Sequence, residues 1–450
     1  MNRFIILILL IVTVTCSAQE VLTLEQCREM ALKQNKKVAA GNKQTAYAHY
    51  LVKSIRGNFF PNFTANSMGF YSNTDGGIKI AGGNLPVFVQ NTNGQTLPNG
   101  SFAYFPGTTI EYNVGFAYSA GISLEQPLYM GGKIRAAYRM ALLGEEMASL
   151  NKKLTQTDVL QQTDEAYANM VKATALKRVA LMYHKLLKEL MRNVENAKSQ
   201  GLSLQNDVLK VQVRLNESEL SLHRAENALH LASMNLCHYI GLPMITPIIV
   251  TETLPMVPDV STLCTDISNR PEYTILKKQT EMAKQQVNMT RSEMLPQIGI
   301  GGTFSYLNGL KINNEKLFDK ATVSLLLNVS VPLYHFGERM NKVKAAKAKL
   351  EQTRLEQENL NEQMQLQLMQ SVNNFNEARM EVELTERSLS QAEENMRISK
   401  NQYDVGMETI SDYLEAQLLW QKAYQQHIEA AFNLYLSYVA YCKAAGTLHL

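Results

Sequence analysis

Tyr403-Asp404-Val405-Gly406-Met407-Glu408-Thr409-Ile410-Ser411-Asp412-Tyr413-Leu414-Glu415 is the stretch on which the reading of this chain turns. A glycine separates two amphipathic runs, and carboxylates follow within the next turns. That pattern marks the tip of a helical hairpin. A second stretch matches it: Asn196 to Leu215 reads NAKSQGLSLQNDVLKVQVRL. Gly406 lies 205 positions after Gly201, and Asp412 lies the same 205 after Asp207. One offset shared by separate features signals an internal duplication.

The duplication extends outward from the tips. Pro127 in QPLYMGG and Pro332 in VPLYHFG keep the 205 offset, as do Gly132 with Gly337 and Gly241 with Gly446. Upstream the offset becomes 235, pairing Pro61 with Pro296 and Asn35 with Arg270. The first half thus holds 30 more residues (235 less 205) between its first proline and its PLY motif. The expected order is a signal peptide at 1–18 and a first repeat at 19–241. That repeat holds a strand pair at 61–128 and a hairpin tip near 201. A linker at 242–262 follows, with Pro243, Pro247, Pro255 and Pro258. The second repeat, 263–450, has its strand pair at 296–333 and its tip near 406.

Two periodicities define the elements. Asn113 to Glu125 alternates, with Val114, Phe116, Tyr118, Ala120, Ile122 and Leu124 on one side. Thr322 to Leu333 does the same, with Val323, Leu325, Leu327, Val329 and Val331. Period two over about ten residues is the signature of a barrel strand, and also of a half-buried sheet on a soluble core. Phe63–Tyr71 and Ile298–Tyr306 supply the partner strands. The stretches joining them, Ser72–Tyr112 and Asn308–Lys320, are expected as loops. Four strands do not close a barrel, because about eight is the practical minimum. Three chains supply twelve. Beyond each PLY motif, residues 133–199 and 339–405 predict very long helices. Phe375, Ala378, Val382, Thr385, Leu389, Ala392, Met396, Ser399 and Tyr403 step by three and four. So do Val208, Val211, Leu215, Ser218, Leu222, Ala225, Leu229, Ala232 and Leu236. This is the 3.5-residue period of a left-handed coiled coil.

Composition bounds the function. Asn2-Arg3, the apolar run Phe4–Val14 and the small residues Cys16-Ser17-Ala18 read as an export signal cut after Ala18. Lipidation at Cys16 is the alternative. Cys27, Cys237, Cys264 and Cys442 show no metal-binding spacing and are expected as small buried residues. A net charge of +3 gives no basic field for nucleic acid. The eight histidines form no HExxH, Met130-Gly131-Gly132-Lys133 lacks the P-loop frame, and Gly299-Ile300-Gly301-Gly302 sits on a strand. No enzyme and no cofactor are expected.

The tandem repeat, the proline-initiated strands, the PLY turn into a long helix and the two glycine tips resemble the TolC-like outer membrane efflux family, over about 22–446. The resemblance implies a mixed α+β membrane protein. Tandem-duplicated coiled helices would form an α-helical barrel, with four antiparallel strands per protomer in a trimeric, 12-stranded β-barrel. It implies an exit duct for drug efflux or type I secretion, gated at the periplasmic tip. It also implies a periplasmic adaptor and an inner-membrane RND, ABC or MFS transporter as partners.

The resemblance further implies roles for residues. Gly201, Leu202 and Ser203 at the first tip, and Val405, Gly406 and Met407 at the second, fall on adaptor-contacting positions. The first tip has Gln200 where the motif has Val. Tyr403, Asp207 and Glu408 fall on the links between hairpins, and Glu408 stands where the family often has Arg. Asp412 and Glu415, three positions apart, fall on the acidic gate. A carboxylate in the first turn of a helix also simply suits the helix dipole. A periplasmic coiled-coil adaptor and a structural coiled coil of the envelope are the other classes. Full-chain duplication argues against the first, and alternating strands argue against the second.

Overall fold

The computed structural model describes residues 21–90, 94–113, 115–251, 253–258, 266–309, 311–313, 315–316 and 319–448. The expected signal segment, Cys16, Val114, Cys264 and part of the linker lie outside the described residues. In chain order, β1 (Val21–Leu22) precedes α1 (Leu24–Gln34) and α2 (Lys36–Gly57). Strands β2 (Asn62–Tyr71), β3 (Asp75–Ile80), β4 (Gly83–Gln90), β5 (Thr96–Phe105), β6 (Thr108–Asn113) and β7 (Phe116–Met130) follow. Then come α3 (Lys133–Ser199), α4 (Gln205–Ile240), β8 (Ile249–Val250) and α5 (Pro271–Arg291). The chain ends with β9 (Gln297–Asn308), β10 (Lys311–Ile312), β11 (Glu315–Lys316), β12 (Asp319–Ser330), α6 (Glu338–Asp404) and α7 (Ile410–Ala444). Helices α3 and α6 each run 67 residues, and both their ends are 205 positions apart. No described helix is long and apolar enough to cross a membrane.

The chain divides into two compact units. The helical unit comprises the chain up to His49, Leu143–Glu281 and the chain from Glu351. Its packing follows the heptads. From Phe375 to Tyr403 the nine seam residues are buried or half-buried, whereas Glu377, Leu384, Glu386 and Glu393 between them are exposed. On α4, Val208, Val211, Ser218 and Leu236 are buried. The core gathers Tyr167, Met170 and Val171 of α3 with Leu236 and Ile240 of α4 and Phe432, Tyr435 and Val439 of α7. Helix α1 joins them through Leu24 and Cys27, its start fixed by a reciprocal Thr23–Gln26 capping box. Parallel pairing of β1 with β8 ties the first described residues to the linker.

Within that core the side chains meet one polar demand. Asp164, with no solvent exposure, accepts hydrogen bonds from Arg28 Nε at 2.7 Å and Nη2 at 2.5 Å. Burial pushes the Asp164 carboxyl up, and the guanidinium beside it pulls the other way. Nothing in the heptad pattern marks this pair. The signal is an acid on the core face of α3 and an arginine next to Cys27.

The strand unit comprises Tyr50–Leu142 and Met282–Leu350. Its main sheet has the order β12-β9-β7-β2, antiparallel throughout. Both sequence halves contribute a hairpin, and β7 pairs with β9 at the joint, Ile122 opposite Phe304. Gly121 is required there, since a Cβ would lie 2.6 Å from the Phe304 carbonyl oxygen. The sheet is open: β2 and β12 are its two outer strands. Every residue of β12 is exposed in the single chain.

The expected loop 72–112 is instead built of strands. β3 pairs with β6 from Asp75↔Asn113 to Ile80↔Thr108, and β4 pairs with β5 from Gly83↔Phe105 to Gln90↔Thr96. The shorter stretch at 308–320 adds β10 and β11 to the β3–β6 ladder. Asn313 fixes that junction, donating its backbone N–H to Glu111 O and accepting from Glu111 N at Oδ1, both at 2.8 Å. Neither face of these strands is buried, so no alternation of polarity is needed. Glycine and proline within them further obscure the pattern.

Candidate functional site

The two hairpin tips are built alike. At the first, Gly201 adopts φ +75°, with Gly201 N–H on Lys198 O and Leu202 N–H on Ala197 O, both 2.9 Å. At the second, Gly406 adopts φ +78°, with Gly406 N–H on Tyr403 O at 3.0 Å and Met407 N–H on Gln402 O at 2.8 Å. Both are Schellman ends, which satisfy the last carbonyls of a helix through a left-handed residue. Leu202, Val405 and Met407 are exposed large apolar residues, Met407 at 83%. Gly201 and Gly406 are exposed, and Ser203 is half-buried.

The return helices start on the repeated aspartates. Asp412 Oδ2 accepts from Thr409 Oγ1 at 2.6 Å and from Thr409 N at 3.3 Å. Thr409 Oγ1 in turn accepts from Asp412 N at 3.3 Å, which completes a capping box. Asp207 repeats half of this arrangement: its Oδ2 accepts from Leu204 N at 3.3 Å and Ser203 Oγ at 3.4 Å. Leu204 stands where Thr409 stands and has no hydroxyl to return the bond. Asp412 and Glu415 are both exposed on the first turns of α7.

An apolar cluster holds the tips together. Tyr183, Leu187, Leu190 and Val194 of α3 meet Val208 and Val211 of α4 and Ile410, Tyr413 and Leu414 of α7. Tyr403 packs against this cluster and stacks on Tyr413, ring centroids 5.2 Å apart. Burial, then the charges of Asp207 and Asp404, push the Tyr403 phenol up, so it stays a neutral donor. Sequence reasoning missed a direct polar link between the two tips. Lys210 Nζ donates to Ser411 Oγ at 2.9 Å and lies 3.8 Å from Asp207 Oδ1. The signal was Lys210 itself, a cation at the position where the second tip carries Glu415. Glu408 is half-buried, and its Oε2 is buried without a hydrogen-bond partner among the described residues. No group of three or more histidine, cysteine or carboxylate side chains arranged to hold a metal occurs among the described residues.

The chain thus combines an open antiparallel sheet contributed by both halves with two 67-residue helices that turn back at glycine tips. The chain belongs to the outer membrane efflux protein family, whose profile matches residues 27–242 and 267–447. It is 20% identical over 341 residues to the protease secretion protein PrtF of Dickeya chrysanthemi, covering 74% of this chain and 73% of that one. It is 22% identical over 330 residues to the outer membrane efflux protein BepC of Brucella suis biovar 1, covering 70% and 71%. Its fold is that of the Campylobacter jejuni outer membrane channel CmeC, with a TM-score of 0.75 at 17% identity over 94% of this chain and 85% of that one. The protein is an outer-membrane efflux channel with its large helical portion in the periplasm.

Proposed function

We propose that three copies of this chain form a passive duct, and that the duct conducts cargo from a periplasmic adaptor and an inner-membrane transporter to the outside. The observation that carries this reading is the open sheet: β2 and β12 each leave one edge unpaired, and four strands are too few to close. Joining β2 of one copy to β12 of the next three times closes a ring of twelve. The tandem repeat, with halves at 19–241 and 263–450 and a linker at 242–262, gives each copy two helical hairpins. The role is transport rather than catalysis, with energy supplied by the inner-membrane RND, ABC or MFS partner. The relatives carry names from both efflux and protease secretion, so the cargo class is set by the partner.

The tips divide the work. Gly201, Leu202 and Ser203, with Val405, Gly406 and Met407, form the adaptor contact, supported by the exposed apolar Leu202, Val405 and Met407. Asp412 and Glu415, present three times each around the axis, form the acidic constriction. Asp412 does so while one of its oxygens caps α7. Tyr403, Asp207 and Glu408 serve the links between hairpins, Tyr403 positioned by its stack on Tyr413. Adaptor docking turns the tips outward, as a two-state opening. Single-channel recording in planar bilayers tests the gate. D412A/E415A is expected to raise conductance and weaken cation preference. Unchanged conductance from an intact trimer would remove both residues from the gate.

A further inference from the structure

The 30 residues by which the first half exceeds the second fall in the excursion between β2 and β7. From Ile80 to Ile110 this excursion contains no lysine, arginine, aspartate, glutamate or histidine. The corresponding stretch of the second half, 309–320, carries Lys311, Glu315, Lys316, Asp319 and Lys320. Exposed strand edges are ordinarily kept apart by charge. The β4–β5 ladder is a two-stranded sheet with two open edges and no charged residue. A lone two-stranded hairpin is marginal in water.

Each of its faces carries an apolar cluster beside uncharged polar residues, Asn84, Gln90 and Thr96 on one and Asn99 and Ser101 on the other. Phe102 stands opposite Pro86, and Phe88 opposite Pro98, on one face with Tyr104. Leu85 opposite Ala103 and Val89 opposite Leu97 make the other. Phe102 is 67% exposed and Tyr104 72%. The ladder is also jointed to the rest. Between β3–β6 and β4–β5 the backbones touch: a Cβ on Gly107, at φ +69°, would lie 2.6 Å from Gly82 N. The two ladders are separate sheets.

The excursion leaves the barrel strands at Tyr71 and Phe116, the ends farthest along the chain from the helices. It springs from β2, an edge strand that trimerisation brings against a neighbour. β4 has eight residues, so the hairpin reaches about 27 Å at ~3.4 Å per residue. A twelve-stranded barrel tilted by ~40° is about 24 Å across its backbone, a radius of ~12 Å. β3, six residues long, lies between the rim and β4, so the excursion as a whole is longer than that radius and can reach the axis.

We propose that the β4–β5 hairpins of the three copies pack on one another over the outer mouth of the duct, forming an apolar cap. The occupant of each exposed face is a second copy of this chain. Each aromatic face (Phe88, Phe102, Tyr104) meets the aliphatic face (Leu85, Val89, Leu97) of the next. Such a head-to-tail contact closes in a ring of three and covers every apolar face. The absence of charge lets three identical segments converge without repulsion.

This inference rests on the trimeric duct, and the test separates the two. The full-length L97C/F102C variant is treated in mild detergent with a short bis-maleimide. Native mass spectrometry is run alongside. The expected result is a covalent trimer on a denaturing gel from the double variant, and none from either single variant or the parent. A native trimer that yields no covalent species overturns the cap and leaves the duct standing. Covalent dimers from a single variant show like faces meeting and overturn the head-to-tail ring. A protein with no native trimer overturns both. Independently, F88S/F102S/Y104S is expected to raise single-channel conductance, and unchanged conductance from an intact trimer counts against the cap.

Discussion

The three described cysteines behave as core atoms. Burial pushes the Cys27 thiol up to about 12, and raises Cys237 and Cys442 as well. The thiolate is the reactive form, so these groups stay inert at neutral pH. In a C16A/C264A variant at pH 8, Ellman's reagent is expected to label none of them in the folded protein and all three after denaturation. The Arg28–Asp164 pair offers a sharper measurement. R28M leaves a carboxylate without solvent exposure or partner, at a cost of ~3–5 kcal/mol in chemical denaturation. Burial, and after it the charge of Glu165, then act on Asp164 unopposed, and its folded pKa lies above its unfolded one. Stability of the variant is therefore expected to rise as pH is lowered through the folded pKa and to fall as pH is raised. The sequence located the cysteines but not this pair, because a contact spanning 136 positions leaves no periodic trace.

At the scale of elements, the glycines at hairpin tips and hairpin roots share one conformation and differ in surroundings. Gly201 and Gly406 have open space where a Cβ would go, so G201A or G406A costs only backbone strain, about 1–2 kcal/mol. Gly241, at φ +81°, would place its Cβ 2.6 Å from Gln34 Cβ, and Gly446, at φ +72°, 2.9 Å from the Asn269 carbonyl carbon. G241A and G446A are expected to lower the thermal midpoint more than the tip substitutions do. The tips, both 67-residue helices and the heptad seam were legible because each imposes a strict local spacing. The strands within 72–112 were not, since β3 through β6 are exposed on both faces. Nor was the capping role of Asp412 distinguishable from a gating one by residue type alone. The reciprocal bonds with Thr409 are visible only in coordinates.

For the whole molecule, one chain leaves both β2 and β12 uncovered and most of α6 exposed outside its seam. Stability is thus expected to depend on assembly. The thermal midpoint in mild detergent should rise with protein concentration, as mass action requires when folding and association are linked. A midpoint independent of concentration across the range where native mass spectrometry sees the trimer dissociate would contradict that coupling. The uncovered side of α6 has a further consequence. Its surface includes Lys349, Glu356, Asn359, Glu377, Glu386 and Glu393, with exposed apolar residues among them, Leu355 alone and Leu366–Met369 and Met380–Leu384 in small pairs. Apolar groups this small on a charged surface do not drive precipitation. A newly exported chain can therefore fold its helical part in the aqueous compartment and stay dissolved while it searches for two siblings.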